Sequence, residues 1–134
     1  MKFDLNCVRD TLLYLEEWLV LTDELEYKPL TLEEIHKGGN MLKYSLPVLA
    51  YTLTKMEEAG FIRATIKFEG SSIYILLVSS ITYSGHQFLE TIRPESTWNK
   101  IRTICDKTGL KSISTIMEIA DILLPETIKN CLSS

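Results

Sequence analysis

Two histidines, three cysteines and one Gly-Gly pair are the residues of this chain whose types could support catalysis or metal binding, so their spacing is read first. A helical zinc site needs two histidines one turn apart, and neither His36 nor His86 has such a partner. Cys7, Cys105 and Cys131 are odd in number and lack a C-x-x-C spacing, which argues against a disulfide framework or a zinc cage and for reduced thiols. No G-x-S-x-G nucleophile turn and no phosphate-cradling glycine loop occurs, and Gly38-Gly39 reads as a turn between helices. His86, behind Gly85 in ITYSGHQFLETIR, is expected to be a partly buried imidazole hydrogen-bonded at the base of a hairpin. The chain is therefore read as non-enzymatic, with no catalytic residue, metal or cofactor, and the chemistry left to it is recognition.

Recognition depends on charge. The chain has 134 residues with a formal net charge of −4, so no global cationic field draws it to nucleic acid. The charge is uneven: residues 1–35 sum to −6, residues 36–68 to +3 and residues 69–134 to −1. At 46% hydrophobic and 24% charged residues, the length suits one domain with one core. The N-terminus lacks the apolar stretch of a signal peptide and no run is long enough to span a bilayer, so a cytoplasmic location is expected.

The elements that would position a recognition face follow from periodicity. Asp4 is a plausible N-cap for a first helix with Leu5, Val8, Leu12, Leu15 and Trp18/Leu19 at helical steps. TDELEYKPL reads as a loop with a short strand near Tyr27. In PLTLEEI, Thr31 and Glu34 form a capping box and Leu30 and Ile35 a hydrophobic staple, opening a short second helix that His36-Lys37-Gly38-Gly39-Asn40 ends. Ser45 caps a third helix over 45–59, with Pro47 in its first turn, Gly60 beyond its end and Leu46, Leu49/Ala50, Leu53 and Met56 as its inward stripe. FIRATIKF and SIYILLVS then alternate with period two around EGSS, which predicts an antiparallel hairpin over 61–78. Thr82 caps the next helix, which runs to Ile92. Gly85 in its first turn suggests close backbone approach against the hairpin. Helices follow over about 95–108, ending at Gly109, and from Ser112, with Pro125 a kink in the last.

The predicted fold is α+β, mainly helical: a winged helix-turn-helix over about 4–92 with a two-stranded wing, then a C-terminal helical extension over about 94–132, all one domain. The patterns F-D-x-x-x-V-R-D near the start, E-A-G-F-I before the hairpin, and I-T-x-x-G-H-x-F-L-x-x-I-R-x-x-x-x-W-x-K after it resemble an uncharacterised family of phage and prophage proteins. That resemblance spans the chain and implies a winged-helix-like domain of bacterial mobile elements, with no site residue to carry over. Ile81 stands where the pattern favours leucine, which touches only packing.

With Leu46, Leu49, Leu53 and Met56 inward, the outward stripe of the third helix is Tyr44, Val48, Tyr51 and Lys55, flanked by Lys43, Ser45 and Thr52. Lys67, Ser71 and Ser72 on the hairpin reach beyond it. Hydroxyls and lysines there suit contacts to phosphates and base edges, so double-stranded DNA is the leading expected partner and a regulator the leading role. Against it, the helix offers no Arg, Asn or Gln for direct base readout. The alternative is an adaptor or counter-defence factor docking on a host or phage protein through the Tyr-Val-Tyr stripe. Two further apolar stripes, Trp98/Ile101/Ile104/Cys105 and Ile113/Ile116/Met117/Ala120/Leu123/Leu124/Ile128, either pack on the first helix or form a homodimer interface.

Overall fold

The computed structural model describes residues 4–109, 116, 118 and 119. These form an α+β fold, mostly helical, with a three-stranded antiparallel sheet. In chain order the elements are α1 (Leu5–Trp18), β1 (Leu30–Thr31), α2 (Leu32–Lys37), a 3-10 turn (Met41–Lys43), α3 (Leu46–Glu58), β2 (Ile62–Glu69), β3 (Ser72–Ile81), α4 (Tyr83–Ile92) and α5 (Glu95–Thr108). The sheet order is β1-β3-β2. Expectations for Ile113, Met117, Ala120, Leu123, Leu124, Pro125, Ile128 and Cys131 lie outside the described residues.

Local chemistry accounts for the helix boundaries. The Asp4 carboxylate accepts from the Cys7 N–H, satisfying one of the donors that open α1. Thr31 and Glu34 close the predicted capping box reciprocally, and Ser45 accepts from Val48 N–H at the start of α3. α3 ends in a Schellman arrangement: Phe61 N–H donates to Met56 O at 2.9 Å and Gly60 N–H to Glu57 O at 3.0 Å, with Gly60 at φ +81°. Gly60 supplies the left-handed residue that this closure needs. The hairpin turns through Gly70-Ser71 with Gly70 at φ +63°, the position where a two-residue hairpin loop favours glycine.

The sequence did not announce β1. It pairs Leu30 with Val78 and Thr31 with Leu77, so the segment before α2 completes the sheet. The strand foreseen near Tyr27 is only an isolated bridge, Leu21 to Tyr27.

The seam between hairpin and α4 holds the two halves together. Thr82 N–H donates to Phe61 O at 3.0 Å, and the Thr82 hydroxyl donates to Gly60 O while its own Oγ1 accepts from Gly85 N–H at 3.0 Å. A β-carbon on Gly85 would lie 2.1 Å from Phe61 O, a backbone atom with nowhere to go. The glycine expectation is thus confirmed, and Phe61 stacks on Phe88 with ring centroids 4.6 Å apart. His86 differs from its expectation: its ring is exposed, and Thr82, not the imidazole, makes the bonds at the hairpin base.

Gly85→Ala is expected to cost about 2 kcal/mol or more, since the clash is with main chain in a packed seam. A urea melt checks this; a midpoint equal to the parent's would show that the seam yields.

Candidate binding face of the third helix

α3 buries Leu49, Thr52, Leu53 and Met56, a stripe at three- and four-residue steps. Two assignments move. Leu46, expected inward, is 37% exposed, whereas Thr52, expected on the outer flank, is fully buried. Thr52 tolerates burial because its hydroxyl donates to Val48 O at 2.8 Å and lies beside the Cys7 thiol. Burial pushes that thiol's pKa up, so Cys7 is held protonated and acts as a packing group.

Tyr44 moves as well. It precedes α3 as the cap of the 3-10 turn and is buried at 8% exposure, with its hydroxyl donating to the Asp10 carboxylate of α1. His36 Nε2 lies 2.8 Å from Tyr44 O, and a carbonyl accepts only, so this nitrogen carries the proton. The Tyr44 hydroxyl thus fastens the α2–α3 connection to α1, while His36 ties the end of α2 to the start of α3. Tyr44 is lost to any partner surface.

The lysines are already occupied. Lys43 Nζ reaches Asp10 Oδ2 at 2.9 Å, and Lys55 Nζ reaches Glu58 Oε2 at 3.0 Å while lying 5.5 Å from the Tyr51 ring centroid. Surface pairs of this kind are worth about 0–1 kcal/mol, so they do not fix either side chain. They do set the local potential: residues 41–59 carry Lys43 and Lys55 against Glu57 and Glu58. What remains open in this region is apolar and neutral: Leu42 of the 3-10 turn at 63%, Leu46 in the first turn of α3 at 37%, the half-buried Val48 and Tyr51 farther round the helix, and the exposed cap Ser45. On the hairpin, Lys67, Ser71 and Ser72 are exposed as expected, and Arg63, which sequence reasoning passed over, shares the exposed side of β2 with Lys67. Strand alternation alone could have found it.

A cleft of about 470 Å³ between α1, the 3-10 turn and α5 is lined by Asp4, Arg9, Asp10, Lys43, Trp98 and Arg102, among others. Its polar groups are largely spent on the fold: Asp4 caps α1, Asp10 holds Tyr44 and Lys43, and Arg9 donates to Ile92 O and Arg93 O at 3.2 and 2.7 Å. Trp98 Nε1 donates to Asn6 of α1, and Trp98, Ile101 and Cys105 are buried within the chain, leaving only Ile104 of that stripe open at 37%. Ile116 is buried too. Among the described residues, no group of three or more His, Cys, Asp or Glu side chains is placed to hold a metal ion. No helix among them is long and apolar enough to cross a membrane.

The class defined so far is an α+β domain with a helix pair set against a three-stranded antiparallel sheet. Residues 2–111 match the family described as "Hypothetical protein (DUF2513)", and the chain belongs to that family. It is also similar to an "Uncharacterized protein" of Haemophilus influenzae, 25% identical over 79 residues, a stretch covering 58% of this chain and 66%, just under two thirds, of the relative's own length. No solved structure matches.

Burial and the neighbouring Asp10 carboxylate raise the Tyr44 phenol's pKa well above its ordinary value. A phenol whose folded pKa is raised stabilises the fold fully below its unfolded pKa of about 10, and that contribution fades as pH rises above it. Tyr44→Phe is therefore expected to cost about 1 kcal/mol at neutral pH and to shrink the alkaline loss of stability. Urea melts across the alkaline range read both effects; identical pH profiles for the two proteins would contradict the buried Tyr44–Asp10 contact.

Proposed function

We propose that this chain is a non-enzymatic winged-helix protein that docks on another protein through the exposed side of α3. The observation that carries this reading is the character of the α3 region: Leu42 just before the helix and Leu46 in its first turn are exposed, Val48 and Tyr51 are half-exposed, Lys43 and Lys55 sit against the chain's own carboxylates, and the segment sums to zero charge. Phosphate binding draws its affinity from net positive charge, and an apolar aromatic patch draws its own from desolvation. The order α1-β1-α2-α3-β2-β3 with sheet order β1-β3-β2 supports the winged-helix assignment, β2 and β3 being the wing. In this reading the protein is an adaptor or counter-defence factor acting in the cytoplasm, and the phage or prophage setting is the one that the motif resemblance suggests.

DNA binding is the second reading, favoured by one specific feature. Arg63 and Lys67 stand exposed on the wing, where two cations could meet a phosphate backbone beside α3. A regulator of that kind would rely on the wing more than on the helix.

One capture experiment separates the two. The immobilised protein is expected to retain a discrete partner from nuclease-treated host lysate, and Leu46→Ser with Tyr51→Ala is expected to reduce retention on the order of ten-fold without lowering Tm by more than a few degrees. Retention untouched by that pair would remove α3 as the docking face. Retention that vanishes with nuclease, or with Arg63→Glu and Lys67→Glu, would favour DNA.

A further inference from the structure

Residues 18–27 depart from the burial pattern kept elsewhere. Trp18, Val20, Leu21, Leu25 and Tyr27 are 55, 51, 51, 76 and 61% exposed, five large apolar side chains turned to water within ten positions of sequence. Scattered exposed apolar residues are ordinary, but a concentrated group is characteristic of a contact surface.

The segment has a defined internal structure. Leu21 bridges Tyr27 in the antiparallel sense, Thr22 N–H donates to Glu26 O and Leu25 N–H to Thr22 O, both at 2.8 Å, and the Thr22 hydroxyl accepts from Glu26 N–H at 3.1 Å. Within this frame Leu25 adopts φ +64°, and it has the only positive φ of any non-glycine residue among those described. That conformation costs a leucine roughly 1–2 kcal/mol, and here it accompanies a side chain held outward. Burial gives no return for that strain; contact with something else would.

The surroundings specify what that something is. Glu16, Glu17, Asp23, Glu24 and Glu26 are all exposed around the apolar group, with Lys28 the single cation in the same stretch. Glu16 is engaged by Arg93, whose guanidinium holds the carboxyl's pKa below its usual value, and the other four acids have no ion pair among the described residues. A second copy presenting this same surface would bring like charges together, which is unfavourable. A segment with an apolar stripe bordered by lysine or arginine would complement it in both respects.

We propose that residues 18–27 form a second docking surface, which takes a cationic amphipathic segment of a partner protein. The surface shares no residue with the α3 face: it runs from the end of α1 to the approach to β1, whereas that face is drawn from residues 42–51. The inference is therefore independent of the α3 reading, and together the two surfaces would let one small domain bridge two partners.

The test uses the full chain and two labelled helical peptides of matched length, one pairing a leucine stripe with lysines and the other pairing the same stripe with glutamates. Fluorescence titration is expected to show saturable binding of the lysine peptide, weakening with added salt, and none of the glutamate peptide. Trp18→Ser with Leu25→Ser, and separately Asp23→Lys with Glu24→Lys, are each expected to weaken binding at least about ten-fold. All four positions are exposed, so circular dichroism should show an unchanged fold. Equal binding of both peptides, or binding unmoved by both variants, would overturn the proposal. Self-association of the parent that Leu25→Ser abolishes would overturn it as well, because the occupant would then be a second copy. Leu46→Ser with Tyr51→Ala serves as the control for α3 and should leave peptide binding unchanged.

Discussion

The carbonyl oxygen of Phe61 occupies space that a side chain at residue 85 would need. The rest of the fold is arranged around that contact. Phe61 closes the end of α3 through its N–H, receives Thr82 N–H on its carbonyl, and stacks its ring on Phe88 of α4. One residue thereby joins α3, the hairpin and α4, and the absence of a β-carbon at position 85 is what lets α4 come this close to it. The exposed side of α3 owes its orientation to this junction, since the helix can present only the stripe left after Leu49, Thr52, Leu53 and Met56 have turned inward.

The residues that carry the family resemblance are largely explained by this scaffold. Asp4 opens α1, Val8 is in the core, Arg9 closes the end of α4 by donating to Ile92 and Arg93 carbonyls, and Asp10 anchors Tyr44. The Glu58-Ala59-Gly60-Phe61-Ile62 run forms the Schellman end of α3, and Trp98 ties α5 to α1 through Asn6. A motif accounted for by caps and packing says little about chemistry. Function has to be sought where the scaffold leaves side chains unused: on the open side of α3, on the β2–β3 hairpin and along residues 18–27.

Much of this was legible in the sequence because it is local. Caps, the glycine after α3, the hairpin turn within residues 69–72 and the glycine before His86 depend on residues a few positions apart, and each was placed from spacing alone. The candidate site was less legible because a helical face is assigned by what packs on it. Tyr44 and Thr52 look like surface residues until Asp10 and the Cys7 thiol are brought beside them from α1. Leu46 and Trp18 look like core residues, but each sits in a terminal turn of its helix, where it clears the edge of the core. β1 has two residues and takes its identity from Leu77 and Val78, far along the chain, so no window of sequence could declare it. The exposed group at 18–27 was hidden by reading TDELEYKPL for its polar residues and not for Leu25 and Tyr27 among them.

The central claim is that the open side of α3 is a protein-binding surface whose few cations are already matched by the chain's own acids. Fluorescence anisotropy of a labelled mixed-sequence duplex, titrated with the protein at physiological salt, tests this most directly. The account expects no saturation below roughly 10⁻⁴ M, the ordinary scale of non-specific binding at physiological salt. Saturable binding far tighter than that, weakening steeply as salt is raised, would contradict it.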